Sequence, residues 1–100
     1  MKTAAECDSM ADVRVEIDRL DRALVALLVE RAGYIDRAAA IKAGIGLAAR
    51  LDDRVEEVVA NVRGHAAGQG LDPDLAESLW RRLIDWSIAR EEEKLGKGSE

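Results

Sequence analysis

The sequence predicts an all-α chain of three helices, the first much longer than the others, and three observations carry that prediction. Apolar residues from Ala11 to Ala43 recur as Val13, Ile17, Leu20, Leu24, Leu27, Leu28, Tyr34, Ile35, Ala38 and Ile41. Steps of three and four lay one buried face along a helix. Ala, Leu, Arg and Glu dominate a chain that has a single Pro and no Phe, a composition that favours helix over strand. Glycine pairs at Gly44/Gly46 and Gly68/Gly70 divide the rest of the chain into two further periodic segments.

The 100 residues suit one domain, with a polar lead-in over 1–9, a helical domain over 10–95 and a tail over 96–100. There is no internal repeat and no low-complexity run. A net charge of −5 argues against nucleic acid or an anionic membrane as partner. A small anionic ligand stays open, because a pocket's local charge can oppose the net charge. Cys7 is the single cysteine and His65 the single histidine. No intramolecular disulfide and no metal-ligand spacing exist, so no metal and no cofactor are expected. The start lacks the apolar core of a signal peptide, and no stretch approaches about 18 uninterrupted apolar residues. A cytoplasmic location is expected.

Asp8 or Ser9 is available to cap the first helix. No Pro interrupts the run that follows, and its interior Gly33 costs only about 1 kcal/mol. A helix of about 33 residues is about 50 Å long at 1.5 Å per residue. A compact monomer of this size has a radius of gyration of about 13 Å. The helix would project beyond such a globule with its apolar stripe uncovered, and two chains laid along each other solve this. A homodimer is therefore expected.

Gly44-Ile45-Gly46-Leu47 breaks the first helix and makes a flexible connection that could move over a site. The second helix runs from about Asp52 to Ala67 with the stripe Leu51, Val55, Val58, Val59, Val62 and Ala66, and Arg54 at its edge. Gly68-Gln69-Gly70 ends it. Asp72-Pro73 starts the third helix, an N-cap acid followed by Pro at the first helical position. Its inner face reads Leu75, Ala76, Leu79, Leu83, Trp86 or Ser87, then Arg90 or Glu91, and Leu95-Gly96 closes it.

Four cations, Arg14, Arg31, Lys42 and Arg54, lie on or beside these inward stripes. Arg31 and Lys42 are eleven residues apart, almost three helical turns, and so point the same way. A buried charge is costly unless paired. The stripes offer few acids in return: Glu91, with Asp18 or Asp21 beside the first helix. A ligand that brings negative charge would resolve this. A small dicarboxylate is the natural candidate, because the Arg guanidinium is a planar fork that fits a carboxylate. Arg14 lies 17 residues before Arg31, about 100° round an ideal helix, and fits a partner's site more easily than its own. Arg63, Arg81 and Arg82 read as solvated, Trp80 and Trp86 as core or dimer packing, and His65 as incidental. No Ser/His/Asp, Cys/His or phosphate-loop constellation exists.

The segments ADVRVEIDRLDRALVALLVERAGYIDRAAAIK, DDRVEE and LWRRLIDWSIAREEE resemble the all-helical chorismate mutase family and its close relative, isochorismate pyruvate lyase. The match covers about residues 10–95. The resemblance implies three-helix chains intertwined as a homodimer with two equivalent sites. It implies that Arg31 of one chain and Arg14 of the other hold the substrate carboxylates, and that Lys42 donates to the ether oxygen of the enolpyruvyl group. Arg54 would line the same pocket, and Ser87 would contact a carboxylate. Two positions depart from the commoner pattern. Val55 stands where many chorismate mutases have Glu, an apolar residue there being also what the lyase has, and Glu91 stands where the lyase has Gln.

The implied reaction, chorismate to prephenate, is a pericyclic rearrangement that needs no nucleophile and no proton transfer. The enzyme would orient the dicarboxylate and stabilise charge growing on the ether oxygen. Lys42, Arg31 and Glu91 are the expected catalytic residues, with Arg14, Arg54, Val55 and Ser87 binding substrate. Glu91 helps only as a donor, hence protonated; burial favours that form and the charge of Lys42 opposes it. The alternatives are isochorismate pyruvate lyase, releasing pyruvate and salicylate for a siderophore, an aminochorismate mutase, and a non-catalytic helical dimer that binds a partner enzyme.

Overall fold

The computed structural model of the chain describes residues 1–97. Three helices make up the described residues, α1 (Met10–Ile45), α2 (Asp52–Gln69) and α3 (Pro73–Lys97), after a single 3₁₀ turn at Ala4–Glu6. The chain divides into two compact units, Met1–Gly33 and Tyr34–Glu100, and α1 runs through the boundary at its interior glycine.

In the first unit the polar lead-in is more ordered than its composition suggests. Thr3 and Glu6 form a reciprocal cap around the 3₁₀ turn. Of the two cap candidates for α1, Ser9 takes the role: its hydroxyl accepts from the Asp12 amide at 3.1 Å. Asp12 in turn accepts from the Asp8 amide and from the Lys2 ammonium at 3.0 Å. That pairing holds the Asp12 carboxyl below the usual carboxylate range. Ile17, Leu20, Leu24, Leu27 and Leu28 are 46 to 61% exposed along α1.

The second unit carries the core. α1 ends where Gly46 adopts a left-handed conformation at φ 74°. The Leu47 amide then donates back to the Lys42 carbonyl at 3.0 Å, which satisfies a carbonyl the helix end would orphan. α2 ends in the same way, with Gly70 at φ 81° and the Leu71 amide on the Ala66 carbonyl at 2.9 Å. Helix runs two residues past the expected Ala67, because Gly68 is tolerated inside it and Gly70 is the residue that turns. At the start of α3 the Asp72 carboxylate accepts from the Asp74 amide, with Pro73 first in the helix.

α2 and α3 pack antiparallel. Arg63 meets Asp74 and Glu77 near the connection, while Glu56 meets Arg81 farther along. Two of the three arginines read as solvated, Arg63 and Arg81, are thus linked into a network through Glu77, which also bridges to Arg81 one helical turn later. Beneath it Val59, Ile84, Ile88 and Ala49 form the core, with Val55, Val58, Trp80 and Leu95 packed against them. Leu75 and Leu79, expected on the inner face of α3, are exposed, while Ala76 is buried in their place.

Ile84 is 6% exposed at the centre of this core. Ile84→Ala should cost about 2–5 kcal/mol of unfolding free energy through lost transfer energy and the cavity left behind. Exposed His65→Ala should stay within about 0.5 kcal/mol. Urea unfolding followed by far-UV circular dichroism checks both.

Candidate functional site

The alternation on α3 resolves in favour of Ser87 and Glu91, which are both buried, against exposed Trp86. Glu91 is only 4% exposed. An acid so deep needs a positive partner, and α1 supplies it: Lys42 Nζ lies 2.8 Å from Glu91 Oε1. The same ammonium donates to the Ala49 carbonyl at 2.9 Å. Ala49 belongs to the connection between α1 and α2, so one cation ties the helix end, the connection and α3 together. Glu91 Oε1 has an ion contact but no aligned hydrogen-bond donor. A buried oxygen in that state is a place where a donor on a ligand gains a partner.

Ser87, one turn before Glu91, donates its hydroxyl to the Leu83 carbonyl at 2.8 Å. This is the back-bond a helical Ser makes when buried. Val55 is half-buried against the core. Arg54, expected at the edge of the α2 stripe, is exposed and paired with Glu57; it precedes Val55 by one residue, about 100° round the helix. Lys42, Ser87, Glu91 and Val55 thus belong to the second unit with Arg54 on its surface. Arg14 and Arg31 belong to the first unit, where Arg14 is exposed and Arg31 half-buried.

Asp36 was not singled out from the sequence, and Arg90 only as an alternative to Glu91 on the inner face of α3. Asp36 on α1 receives Arg90 of α3 through both carboxylate oxygens, at 2.5 and 2.8 Å. Lys94 Nζ stands 3.9 Å away from the same carboxylate. Arg90 also lies over the Trp86 ring at 5.5 Å, a cation–π contact. The hydrogen bonds from Arg90 hold the Asp36 carboxyl below the usual carboxylate range. The available signal was the neighbouring pair Arg90-Glu91: two opposite charges on the inner edge of α3 ask for two opposite charges on the helix they face.

A cavity of about 440 Å³ lies elsewhere, between the N-terminal turn and the start of α1, lined by Met1, Lys2, Cys7, Val13, Ile17 and Leu20 among others. None of the candidate residues lines it. Among the described residues no group of His, Cys, Asp or Glu side chains is placed to hold a metal ion. No helix among them is long and apolar enough to cross a membrane.

Residues 13–92 match the family model described as chorismate mutase type II. The chain is 34% identical over 91 residues to the isochorismate pyruvate lyase of Pseudomonas aeruginosa, covering 91% of this chain and 89% of that protein. It is 32% identical over 82 residues to the T-protein of Enterobacter agglomerans, covering 82% of this chain. It is 31% identical over 84 residues to the T-protein of Haemophilus influenzae, covering 84% of this chain. In both T-proteins the match spans 22% of the relative's own length.

The depressed Asp36 carboxyl makes its bond to Arg90 a pH-dependent contribution to stability. A group whose folded pKa lies below its unfolded value stabilises above the unfolded value, about 3.9 for Asp, and loses that effect as pH falls through the folded one. Asp36→Asn should therefore be less stable than the unaltered chain at pH 7. The gap should close as pH falls below about 4, as measured by urea unfolding across pH.

Proposed function

The chain belongs to the chorismate mutase type II family, and we propose that within it the protein is a chorismate mutase acting as a homodimer. The observation that carries this reading is the Lys42 ammonium, held between the buried Glu91 carboxylate and the Ala49 carbonyl. In the rearrangement the ether C–O bond breaks as a C–C bond forms between the ends of the same six-atom array. Electron density builds on the ether oxygen and no proton moves. What that step requires is a fixed donor aimed at the oxygen and cations that hold both carboxylates. An ammonium has three donors; on Lys42 one goes to Ala49 and one side faces Glu91, which leaves a third for the ether oxygen. Its position is set before substrate arrives.

Arg31 of one protomer and Arg14 of the partner subunit would hold the carboxylates, with Ser87 accepting or donating nearby. Arg54 would have to swing inward from its exposed pairing with Glu57, which an exposed ion pair permits at little cost. Support for the dimer comes from α1, whose uncovered Ile17, Leu20, Leu24, Leu27 and Leu28 make a long apolar face of the kind that marks an interaction surface. The substrate would be a small dicarboxylate in the cytoplasm.

A second reading, isochorismate pyruvate lyase, is favoured by a specific observation. The Pseudomonas aeruginosa protein of that name aligns over 89% of its own length, and Val55 is apolar where the mutase pattern has Glu. The same ether bond breaks, but a ring hydrogen moves to the departing enolpyruvyl group, leaving salicylate and pyruvate. Chorismate and isochorismate given separately to the purified protein distinguish the two. The mutase reading predicts prephenate from chorismate with little salicylate from isochorismate, and the reverse overturns it. Lys42→Ala should lower turnover at least about a hundredfold. A non-catalytic dimer would turn over neither substrate, with or without Lys42.

Glu91→Gln puts an amide donor beside Lys42 in place of the carboxylate. Retained turnover in this variant would support a donor at this position, and a loss of turnover as large as that of Lys42→Ala would show that the negative charge beside Lys42 is what the site requires.

A further inference from the structure

Among the described residues three ion contacts join α1 to α3, and the two closest run in opposite senses. Asp36 of α1 meets Arg90 of α3, and Lys42 of α1 meets Glu91 of α3. On α1 the residue midway between them is Ala39, which is 1% exposed. At about 100° per residue, Asp36 and Lys42 fall about 60° to either side of Ala39. On α3 buried Ser87 takes the corresponding place, with Arg90 and Glu91 falling about 60° and 40° to either side. Each helix thus presents a small buried residue flanked by one charge of each sign. The acid of α1 faces the base of α3, and the base of α1 faces the acid of α3.

We propose that Asp36 and Arg90 are a positioning pair, which fixes the rotation and register of α1 against α3 so that Lys42 stands at Glu91. This rests on the enzymatic reading above. It deepens that reading by assigning a role to two residues that touch no substrate. Rotating α1 by one residue step in one sense would carry Asp36 toward Glu91 and turn Lys42 away from α3; in the other it would carry Lys42 toward Arg90 and turn Asp36 away, so either step exchanges two attractive contacts for one repulsive one. The Asp36–Arg90 contact is suited to the task because it is bidentate. Two parallel N–H···O bonds restrict angle as well as distance, whereas the Lys42 ammonium is a rotatable point charge. The Trp86 ring restrains Arg90 from a second side, and Lys94 adds a further positive charge near Asp36. Lys42 is therefore free to serve the reacting oxygen, while the rigid geometry is supplied one to two turns away.

The test compares the unaltered protein with Asp36→Asn, Arg90→Gln and the double exchange Asp36→Arg with Arg90→Asp. Three readouts are taken: kcat and KM on chorismate and isochorismate, thermal unfolding, and the rate of Lys42 acylation by an amine reagent followed by mass spectrometry. Each single variant should lose about tenfold in kcat, with KM changed less than about threefold, and Lys42 should acylate several-fold faster. The double exchange should stay as impaired as the single variants, because it sets two cations of α1 against two acids of α3 and no longer singles out one rotation. Single variants that remain folded with unaltered kcat and acylation overturn the proposal. So does a folded double exchange that recovers the kcat and the slow acylation of the unaltered protein. If the unaltered protein converts neither substrate while the acylation pattern follows the expectation, the enzymatic reading fails and the register device stands on the labelling alone.

Discussion

Lys42 carries its charge 2.8 Å from a glutamate that water scarcely reaches and donates from the same ammonium to the carbonyl of Ala49. Removing two charges from water is expensive, and the cost is offset only where each meets the other at short range. That constraint fixes the C-terminal turns of α1 against α3 and draws the Gly46–Leu51 connection down, so that Ala49 joins the core beside Val59 and Ile84. Arg50 adds a weaker hold on the same connection through Asp85. The flexibility that two glycines give the connection is therefore limited by the same cation that the proposed chemistry uses.

The pair also determines how the site responds to alteration. Deleting Lys42 alone leaves Glu91 buried without its counter-charge, which costs fold stability as well as any catalytic role. Removing both charges together avoids that penalty. Loss of turnover and loss of folding can thus be separated at this position, which a single substitution does not allow.

Much of this arrangement was legible in the sequence. The helical periods, the Asp72-Pro73 start and the glycine turns located all three helices, because each is written in local residue chemistry. Lys42 stood out as a cation on an apolar stripe, and Glu91 as one of the few acids able to answer it. What escaped detection has physical reasons. The Ala49 carbonyl leaves no mark in the sequence, since every residue has one. Arg90 and Glu91 looked like alternatives because a single inward position was sought, whereas a seam between helices has two edges and uses both. Leu75 and Leu79 fit the helical period, but nothing in the described residues covers them, and period alone does not say what lies opposite. The long apolar face of α1 raises the same question, to which a second copy is the proposed answer.

The central claim is that Lys42 and Glu91 form the electrostatic centre that meets an ether flanked by two carboxylates. The most direct measurement is calorimetric titration of a bicyclic dicarboxylate ether, shaped like the rearrangement's transition state, into the unaltered protein and into the folded Lys42→Ala/Glu91→Gln double variant. The account predicts tight binding to the former and a loss of about a hundredfold or more in the latter. Equal affinity for both would show that the pair serves only to hold the helices together.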